Sequence, residues 1–206
     1  MTVPDDALST LKPTPYSRVR AEVQDGDLLL CSAHDPMSKV IRWATRTQWS
    51  HVAMAFRIQS IDRVMVLESV EHFGVRTVPL SSFIRTTSSG VSPYPGRILL
   101  ARHEAFHGPS ATRRMKAAAE FGFSRLGDPF SNREMLKIVL RVLFGRLNRK
   151  MPRSLGPHDE FICSEFVARA YAKAGVKIAW DGLGFIGPGD IAADPKVAAV
   201  LQVRTR

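Results

Sequence analysis

The sequence FICSEFVARAYAKAG, residues 161–175, contains the pattern that decides the fold. Its apolar residues recur at the spacing of a helix, so that several of them lie on one side. These residues are Phe166, Val167, Ala170, Tyr171 and Ala174. Gly175 follows them, and a glycine in this place is a common C-terminal stop. The pattern therefore predicts a helix over residues 161–174, with Cys163 near its start.

The position of Cys163 gives this helix a chemical interpretation. A thiol at a helix start lies near the positive end of the helix dipole and near N–H groups that lack intrahelical partners. Both features favour the thiolate, which is the nucleophilic form of cysteine. The alternative is an ordinary buried cysteine, the commonest fate of a free cysteine. Cys31 has that interpretation, because it ends the short apolar run at 28–31, which is typical of a buried strand.

A cysteine nucleophile needs a base, usually histidine, and a group that orients the base. Among six histidines, His51 begins the strand-like stretch SHVAMAF, where small alanines share its face and leave room for a neighbouring element. Glu68 lies in the next such stretch, RVMVLESV. In a hairpin that turns near residues 59 and 60, His51 and Glu68 stand opposite and share a face. The alternative is a polar pair at the strand ends without a catalytic role.

The composition and the order of the elements indicate one α+β domain. The chain has 206 residues, 45% of them hydrophobic and 23% charged, as in soluble globular proteins. Predicted strands concentrate in the first half and predicted helices in the second, which argues against a βαβ alternation. We expect an N-terminal arm over residues 1–24 and a single catalytic domain over 25–206. A basic amphipathic helical insertion is expected around 132–157.

Four motifs together resemble a known family of cysteine hydrolases. They are GDLLL at 26–30, SHVAMAF at 50–56, VLES at 66–69 and FICSEFVARAY at 161–171. Their order resembles the circularly permuted branch of the NlpC-type papain-like hydrolases, and most closely its YiiX-like group, which is related to the lecithin retinol acyltransferase family. The resemblance covers residues 25–192 and implies a permuted papain-like fold, in which an antiparallel sheet packs against the cysteine helix. Pro188-Gly189-Asp190 resembles the closing turn of that family.

The resemblance also implies a function and three site residues. Cys163 would be the nucleophile, His51 the base and Glu68 the orienting group. The chain would then be a thiol-dependent hydrolase (amidase or peptidase) or an acyltransferase. It would act on an amide or ester, in a cell-wall peptide or a lipid, through an acyl-enzyme. No cofactor and no metal are expected. Whether water or a second acceptor releases the acyl group stays open.

The net charge of +10 leaves a second class of function open. The charge suits an anionic partner, but the excess of arginine over lysine fits codon bias as well. Basic residues recur every four positions from Arg133, and the basic stretch continues to Arg153. This segment is either a core-packed helix with a solvated face or a helix on an anionic membrane surface. The alternative to an enzyme is therefore a non-catalytic membrane-surface or ligand-binding module on the same fold. No specific nucleic-acid partner is expected, because aromatic residues are not interleaved with the basic ones.

A third alternative is a zinc hydrolase built on His103 and His107, which match the pattern H-E-x-x-H. That pattern binds zinc only on a helix, whereas RILLAR before it indicates a strand and Gly108-Pro109 ends any helix. The first ten residues lack the features of a secretory signal, and no apolar run approaches the roughly 18 residues of a membrane span. We therefore expect a cytoplasmic protein that could associate with a membrane.

Overall fold

A seven-stranded sheet organises the chain in a computed structural model, which describes residues 3–4, 6–87, 90–130, 162–178 and 186–205. The strands of these ranges are β1 (Pro13–Thr14), β2 (Leu28–Ala33), β3 (His51–Ile58), β4 (Arg63–Val70), β5 (Gly74–Pro79), β6 (Thr86–Thr87), β7 (Gly90–Val91), β8 (Gly96–His103) and β9 (Val197–Val203). The order in the sheet is β1-β9-β8-β2-β3-β4-β5, and β6 pairs with β7 separately. Neighbours in the sheet are antiparallel except β1 and β9.

Helices cover both faces of this sheet. Those of the described ranges are α1 (Ala7–Thr10), α2 (Tyr16–Glu22), α3 (Pro36–Thr45), α4 (Leu80–Phe83), α5 (Ala111–Ser124), α6 (Cys163–Lys173) and α7 (Pro188–Ala193). Side chains of α1, α5, α6 and α7 share a core with one face of the sheet, and those of α2 and α4 share a core with the other. None of the helices in the described ranges has the length and apolarity that crossing a membrane requires.

The cysteine helix has the buried side and the C-terminal stop that its sequence predicts. It spans Cys163–Lys173, and Phe166, Val167, Ala170 and Tyr171 on its apolar side are fully buried. Gly175 follows it with φ +75°, the left-handed conformation of a helix stop. The α+β architecture, with a largely antiparallel sheet packed against the cysteine helix, is confirmed.

The hairpin of β3 and β4 forms, but its register differs by two residues from the predicted one. Met54 pairs with Leu67 and Ile58 with Arg63, so the turn takes four residues, 59–62. Extending this register places Glu68 two positions from the residue opposite His51. Since side chains alternate with a period of two, this shift keeps both residues on one face. The prediction of direct opposition is therefore wrong, whereas the shared face is correct.

The small alanine face of β3 receives neighbouring elements, but the cysteine helix is not one of them. Ala53 and Ala55 face the core that includes α2 and α4. Helix α6 packs on the opposite face, where Val52 and Met54 share a core with its apolar side. It therefore meets His51 only because its first turn lies beside the first residues of β3, whose Val52 N–H hydrogen-bonds Cys163.

The N-terminal residues, predicted as an arm, contribute to the core and to the sheet. Val3, Leu8 and Val19 are buried. Strand β1 pairs in parallel with β9 and so forms one edge of the sheet. The helical insertion expected around 132–157, with its basic stretch at 133–153, lies outside the described residues.

Candidate active site

The start of β3 holds His51 in a fixed position. His51 pairs directly with Cys31 of β2. The buried Ser50 hydroxyl donates to the Cys31 carbonyl and accepts the Ala33 N–H at 3.0 Å, which joins the first residues of β3 to β2. The Phe83 ring stacks on the imidazole at 6.4 Å between ring centroids. Hydrogen bonds and ring packing thus restrict the histidine from two sides.

The Glu68 carboxylate is shared between two partners. His51 donates from Nε2 to Oε2 at 2.8 Å, so that its Nδ1 is the ring nitrogen left for another group. Arg76 donates from Nε and Nη2 to Oε1, at 2.9 Å and 2.8 Å. The Glu68 side chain is only 2% exposed. Both oxygens of this buried carboxylate are therefore satisfied, as a charge away from water requires.

Cys163 completes a cluster of three predicted site residues. The thiol hydrogen-bonds the His51 imidazole and receives backbone N–H bonds from Val52 and Ser164. Cys163 is the first residue of α6, where backbone N–H groups have no intrahelical acceptor. The structure thus brings Cys163, His51 and Glu68 together from three separate elements.

The charges in this cluster stabilise a thiolate beside an imidazolium. Burial alone would raise the pKa of Cys163, but the positive charge of His51 and its hydrogen bond outweigh burial and lower it. Burial alone would lower the pKa of His51, but Cys163 and Glu68 outweigh burial and raise it to about 10. For Glu68, burial is outweighed by His51 and Arg76, so its pKa lies below its ordinary value.

Cys31 lies directly across the strand pair from His51 but has the opposite character. Both cysteines are free and buried. The Cys31 thiol donates to the Leu29 carbonyl within an apolar core. Burial raises the pKa of Cys31 far above its ordinary value, despite a hydrogen bond to Tyr94. Cys31 is therefore a neutral packing residue, as its apolar run predicts.

The cluster opens into a cleft of about 400 Å³. Its polar lining includes His51, Glu68, Arg76 and Cys163, together with Asp35, Ser38, Ser50, Ser69, Glu71 and His72. Most of the remaining wall is apolar or aromatic, with Met37, Ile41, Phe73, Phe83, Tyr94 and Phe130. Met37 and Phe73 are 40% and 57% exposed, so they mark the mouth of the cleft. Its volume and its partly apolar wall are typical of a small-molecule site.

The motif Gly26-Asp27 contacts the cysteine helix, and the motif Pro188-Gly189-Asp190 contacts the loop before the histidine strand. The Tyr171 hydroxyl of α6 donates to the Gly26 carbonyl at 2.7 Å. Gly26 has φ +85°, and a Cβ there would collide with Phe106, so the turn before β2 requires glycine. In α7, a Cβ on Gly189 would lie 2.3 Å from Thr47, in the loop before β3. The glycines of both motifs thus allow close packing around the site.

The residues of the H-E-x-x-H pattern lie elsewhere and do not share a helix face. His103 ends β8 and accepts the Ala105 N–H on Nδ1, and a single 3₁₀ turn at Glu104–Phe106 separates it from His107. The His103 ring is buried edge-on against Phe106 and Tyr171. Burial lowers the pKa of His103. This segment therefore does not form the helix that a zinc site at His103 and His107 requires.

Sequence reasoning did not find Arg76, whose guanidinium completes the partners of Glu68. Arg76 lies in β5 directly opposite Glu68. The available signal was Gly74, which has φ +68° in the tight connection from β4. A hairpin around that glycine would have predicted Arg76 as the cross-strand neighbour of Glu68.

Comparisons with known proteins give a family and solved structures of similar fold. A family model described as "Permuted papain-like amidase enzyme, YaeF/YiiX, C92 family" matches residues 22–137, more than half of the chain. That range includes His51, Glu68 and Arg76, whereas Cys163 lies beyond it. The crystal structure of metalloprotein YiiX from Escherichia coli O157:H7 aligns with a TM-score of 0.59 and 17% sequence identity. The alignment covers 86% of this chain and 96% of that one, and it supports the fold. No curated protein matches.

The description of YiiX as a metalloprotein raises the question of a metal site in this chain. Within the described ranges, no group of three or more His, Cys, Asp or Glu side chains is arranged to hold a metal ion. In the cleft, Glu68 Oε1 already accepts from a guanidinium and Oε2 from an imidazole. A metal ion beside either oxygen of Glu68 would lie against the positive charge of Arg76 or of the protonated His51. The described residues therefore do not fit a metal centre.

Proposed function

This chain belongs to the permuted papain-like amidase family C92, the family of YaeF and YiiX, and on that premise we propose that it is a thiol-dependent amidase. Cys163 is the nucleophile, His51 the proton carrier and Glu68 the residue that orients the histidine. One observation supports the proposal most strongly. The Cys163 thiol hydrogen-bonds an imidazole whose other nitrogen is bound by a buried carboxylate, at the wall of an open cleft.

The first half of the reaction forms an acyl-enzyme. The Cys163 thiolate attacks the amide carbonyl carbon, and the carbonyl electron pair moves to the oxygen. The Cys163 backbone N–H, at the N-terminus of α6, donates to this oxyanion. The C–N bond then breaks while the His51 imidazolium gives its proton to the leaving nitrogen. The products are a free amine and a thioester on Cys163.

The second half of the reaction returns the enzyme to its resting state. His51, now neutral, removes a proton from a water molecule, and the resulting hydroxide attacks the thioester. The C–S bond breaks and the acid leaves, with Cys163 again a thiolate beside an imidazolium. An alcohol or amine in the place of water would take the acyl group instead, and the same residues would then act as an acyltransferase.

The wall of the cleft supports an apolar acyl group as the part of the substrate next to Cys163. Met37, Ile41 and Phe73 line the cleft along its way to the surface. Burying one methylene of a substrate against such a wall contributes about 0.8 kcal/mol. The proposal therefore favours a fatty-acyl or aromatic acyl amide over a strongly charged peptide.

Selective alkylation tests the nucleophile, with Cys31 as the matched control. Iodoacetamide reacts with thiolates, and the pKa values of the two buried cysteines are shifted in opposite directions. We expect rapid modification of Cys163 at pH 6, none of Cys31, and loss of labelling in Cys163→Ala but not in Cys31→Ala. Mass spectrometry of peptides measures this. Labelling at the native rate in Cys163→Ala would contradict the proposal.

A substrate series tests the acyl group. For p-nitroanilides of increasing acyl length, we expect kcat/KM to rise about fourfold per buried methylene until the cleft is filled. Phe73→Ser should raise KM for long acyl chains only, whereas Ile61→Ser, an equally exposed site outside the cleft lining, should change nothing. Faster cleavage of substrates with charged acyl groups would contradict an apolar site. Absence of all cleavage would favour a non-catalytic binding module instead.

A further inference from the structure

The partner of Glu68 on the side away from His51 is an arginine in a restricted position. Arg76 stands directly across the β4–β5 pair from Glu68, on the same face of the sheet. Its Nε and Nη2 both donate to Oε1, which the imidazole does not use. The guanidinium carbon lies 4.6 Å from the centre of the Phe73 ring, a cation–π distance. Three contacts thus fix the plane of the guanidinium.

Because Arg76 binds one oxygen of Glu68, the orientation and the charge of this carboxylate are restricted. A buried carboxylate with one unpaired oxygen can rotate or take up a proton. With Oε1 held by Arg76, only Oε2 is available to His51, and the imidazole has one orientation in which Nδ1 faces the thiol. The charges also balance, because Arg76 and His51 are positive where Glu68 and the Cys163 thiolate are negative.

We propose that Arg76 is a positioning residue of the amidase, which keeps Glu68 ionised and oriented so that the Cys163–His51 ion pair persists into mildly acidic solution. The inference rests on the proposed function and adds a fourth member to its site. Arg76 acts through Glu68 and takes no part in the bond changes. Its guanidinium also lines the cleft, so a role in substrate binding is the alternative that an experiment has to separate.

Within the part of the chain that the structure describes, the titratable groups around Glu68 come from several adjacent elements. His51 faces it from β3, Arg76 from β5 and Cys163 from α6. Cys31 of β2 and Tyr94, which precedes β8, also lie within the electrostatic reach of Glu68. Burial keeps both of these neutral, so Arg76 and His51 carry the positive charges that oppose protonation of Glu68.

The test is the pH dependence of Cys163 alkylation by iodoacetamide between pH 4 and 8. The probe is small and neutral, so a role of Arg76 in substrate binding would not change its rate. In Arg76→Met we expect the acid limb to move up by about one pH unit, since an arginine lowers the pKa of an adjacent carboxylate by 1–3 units. The rate below that limb would fall about tenfold, while the rate at pH 8 stays close to native. Arg76→Lys should lie between the two.

Arg125→Met is the matched control, because Arg125 also lies over a ring, that of Phe121, and beside a carboxylate, that of Asp128. Its acid limb should coincide with the native one. An unchanged limb in Arg76→Met would overturn the inference, and Arg76→Gln would replace that variant if it did not fold. Failure of native Cys163 to react faster than Cys31 would overturn the proposed function itself. The two failures are therefore distinguishable.

Discussion

Two buried carboxylates of this chain, Asp27 and Glu68, are each paired with an arginine, but the pairs differ in geometry. Arg102 reaches both oxygens of Asp27, at 2.8 Å and 2.9 Å, and the Gln24 N–H donates to one of them. Arg76 places two N–H groups on a single oxygen of Glu68 and leaves the other to His51. The first pair joins the turn before β2 to β8, whereas the second faces the cleft.

The pKa values of the two carboxyl groups move in opposite directions. Burial outweighs Arg102 and raises the pKa of Asp27, while His51 and Arg76 outweigh burial and lower the pKa of Glu68. Arg102 binds both oxygens of Asp27, and the Gln24 N–H binds one of them, so this carboxylate connects two parts of the fold. A carboxylate with one oxygen on an imidazole can instead set the charge of a reactive group.

Among the substitutions in the two carboxylate–arginine pairs, we expect Glu68→Gln to have the largest effect on kcat/KM. The amide keeps the volume of the side chain but removes the charge that stabilises the imidazolium. We expect kcat/KM to fall by roughly 10²–10⁴-fold, the range for loss of an acid–base function. The thermal midpoint should fall as well, because a carboxylate whose pKa is lowered in the fold stabilises the fold at neutral pH. Hydrolysis of an acyl anilide and a melting curve measure the two effects. Native activity in this variant would remove Glu68 from the site.

The same variant should change the alkaline side of the pH profile. In the native protein the imidazolium persists until the pKa of His51, about 10. Because Glu68 contributes to raising that pKa, the loss of its charge lets His51 deprotonate at lower pH. We therefore expect the alkaline fall of activity to begin earlier in Glu68→Gln than in the native protein. A limb at unchanged pH would show that Cys163 alone holds the proton on His51.

The matched substitution in the other pair, Asp27→Asn, should have a structural effect. It replaces one acceptor oxygen with an NH2 donor, so that Arg102 loses at least one of its two hydrogen bonds to this side chain, and hydrogen bonds to charged groups contribute about 1.5–3 kcal/mol. We expect the free energy of unfolding to fall by about 2 kcal/mol, whereas kcat per folded molecule remains native. Urea unfolding measures the first quantity. A loss of kcat without a loss of stability would contradict the contrast between the two carboxylates.

The smallest effect is expected for Tyr171→Phe, which removes the hydroxyl that donates to Gly26. Loss of this single bond leaves a buried carbonyl without its partner and should cost about 1–2 kcal/mol. The rate of Cys163 alkylation should stay within a few-fold of native, because the ring still packs against Phe106. Phe106→Leu is a control that changes the packing but keeps the hydroxyl bond.

Local periodicity predicted the central elements of the fold, and together with the family resemblance it led to the three residues that come together. Helix α6 and strands β3 and β4 have long apolar patterns, and the shared face of His51 and Glu68 tolerates a register error of two residues. The turn at 59–62 contains none of the glycine or asparagine signals that specify hairpin register, so the error itself could not be avoided.

The sequence does not predict elements whose place in the fold depends on contacts with residues far away in the chain. Strand β9 alternates weakly and gains its place from β8, about one hundred residues earlier. Strand β5 is short, and without it Arg76 has no assigned neighbour. The buried Val3 and Leu8 lie in a polar, proline-bearing stretch whose contacts with the core arise only in three dimensions.

The meander of β3, β4 and β5 has a consequence for the order in which the chain can assemble. Imidazole, carboxylate and guanidinium lie within 26 consecutive residues, 51–76, and are joined by hairpins that close quickly. The sulfur is supplied much later in the chain, by a helix that must dock across a long sequence separation. During synthesis, His51, Glu68 and Arg76 can therefore come together while Cys163 is still an ordinary thiol. Cys163 becomes reactive only when α6 docks beside them.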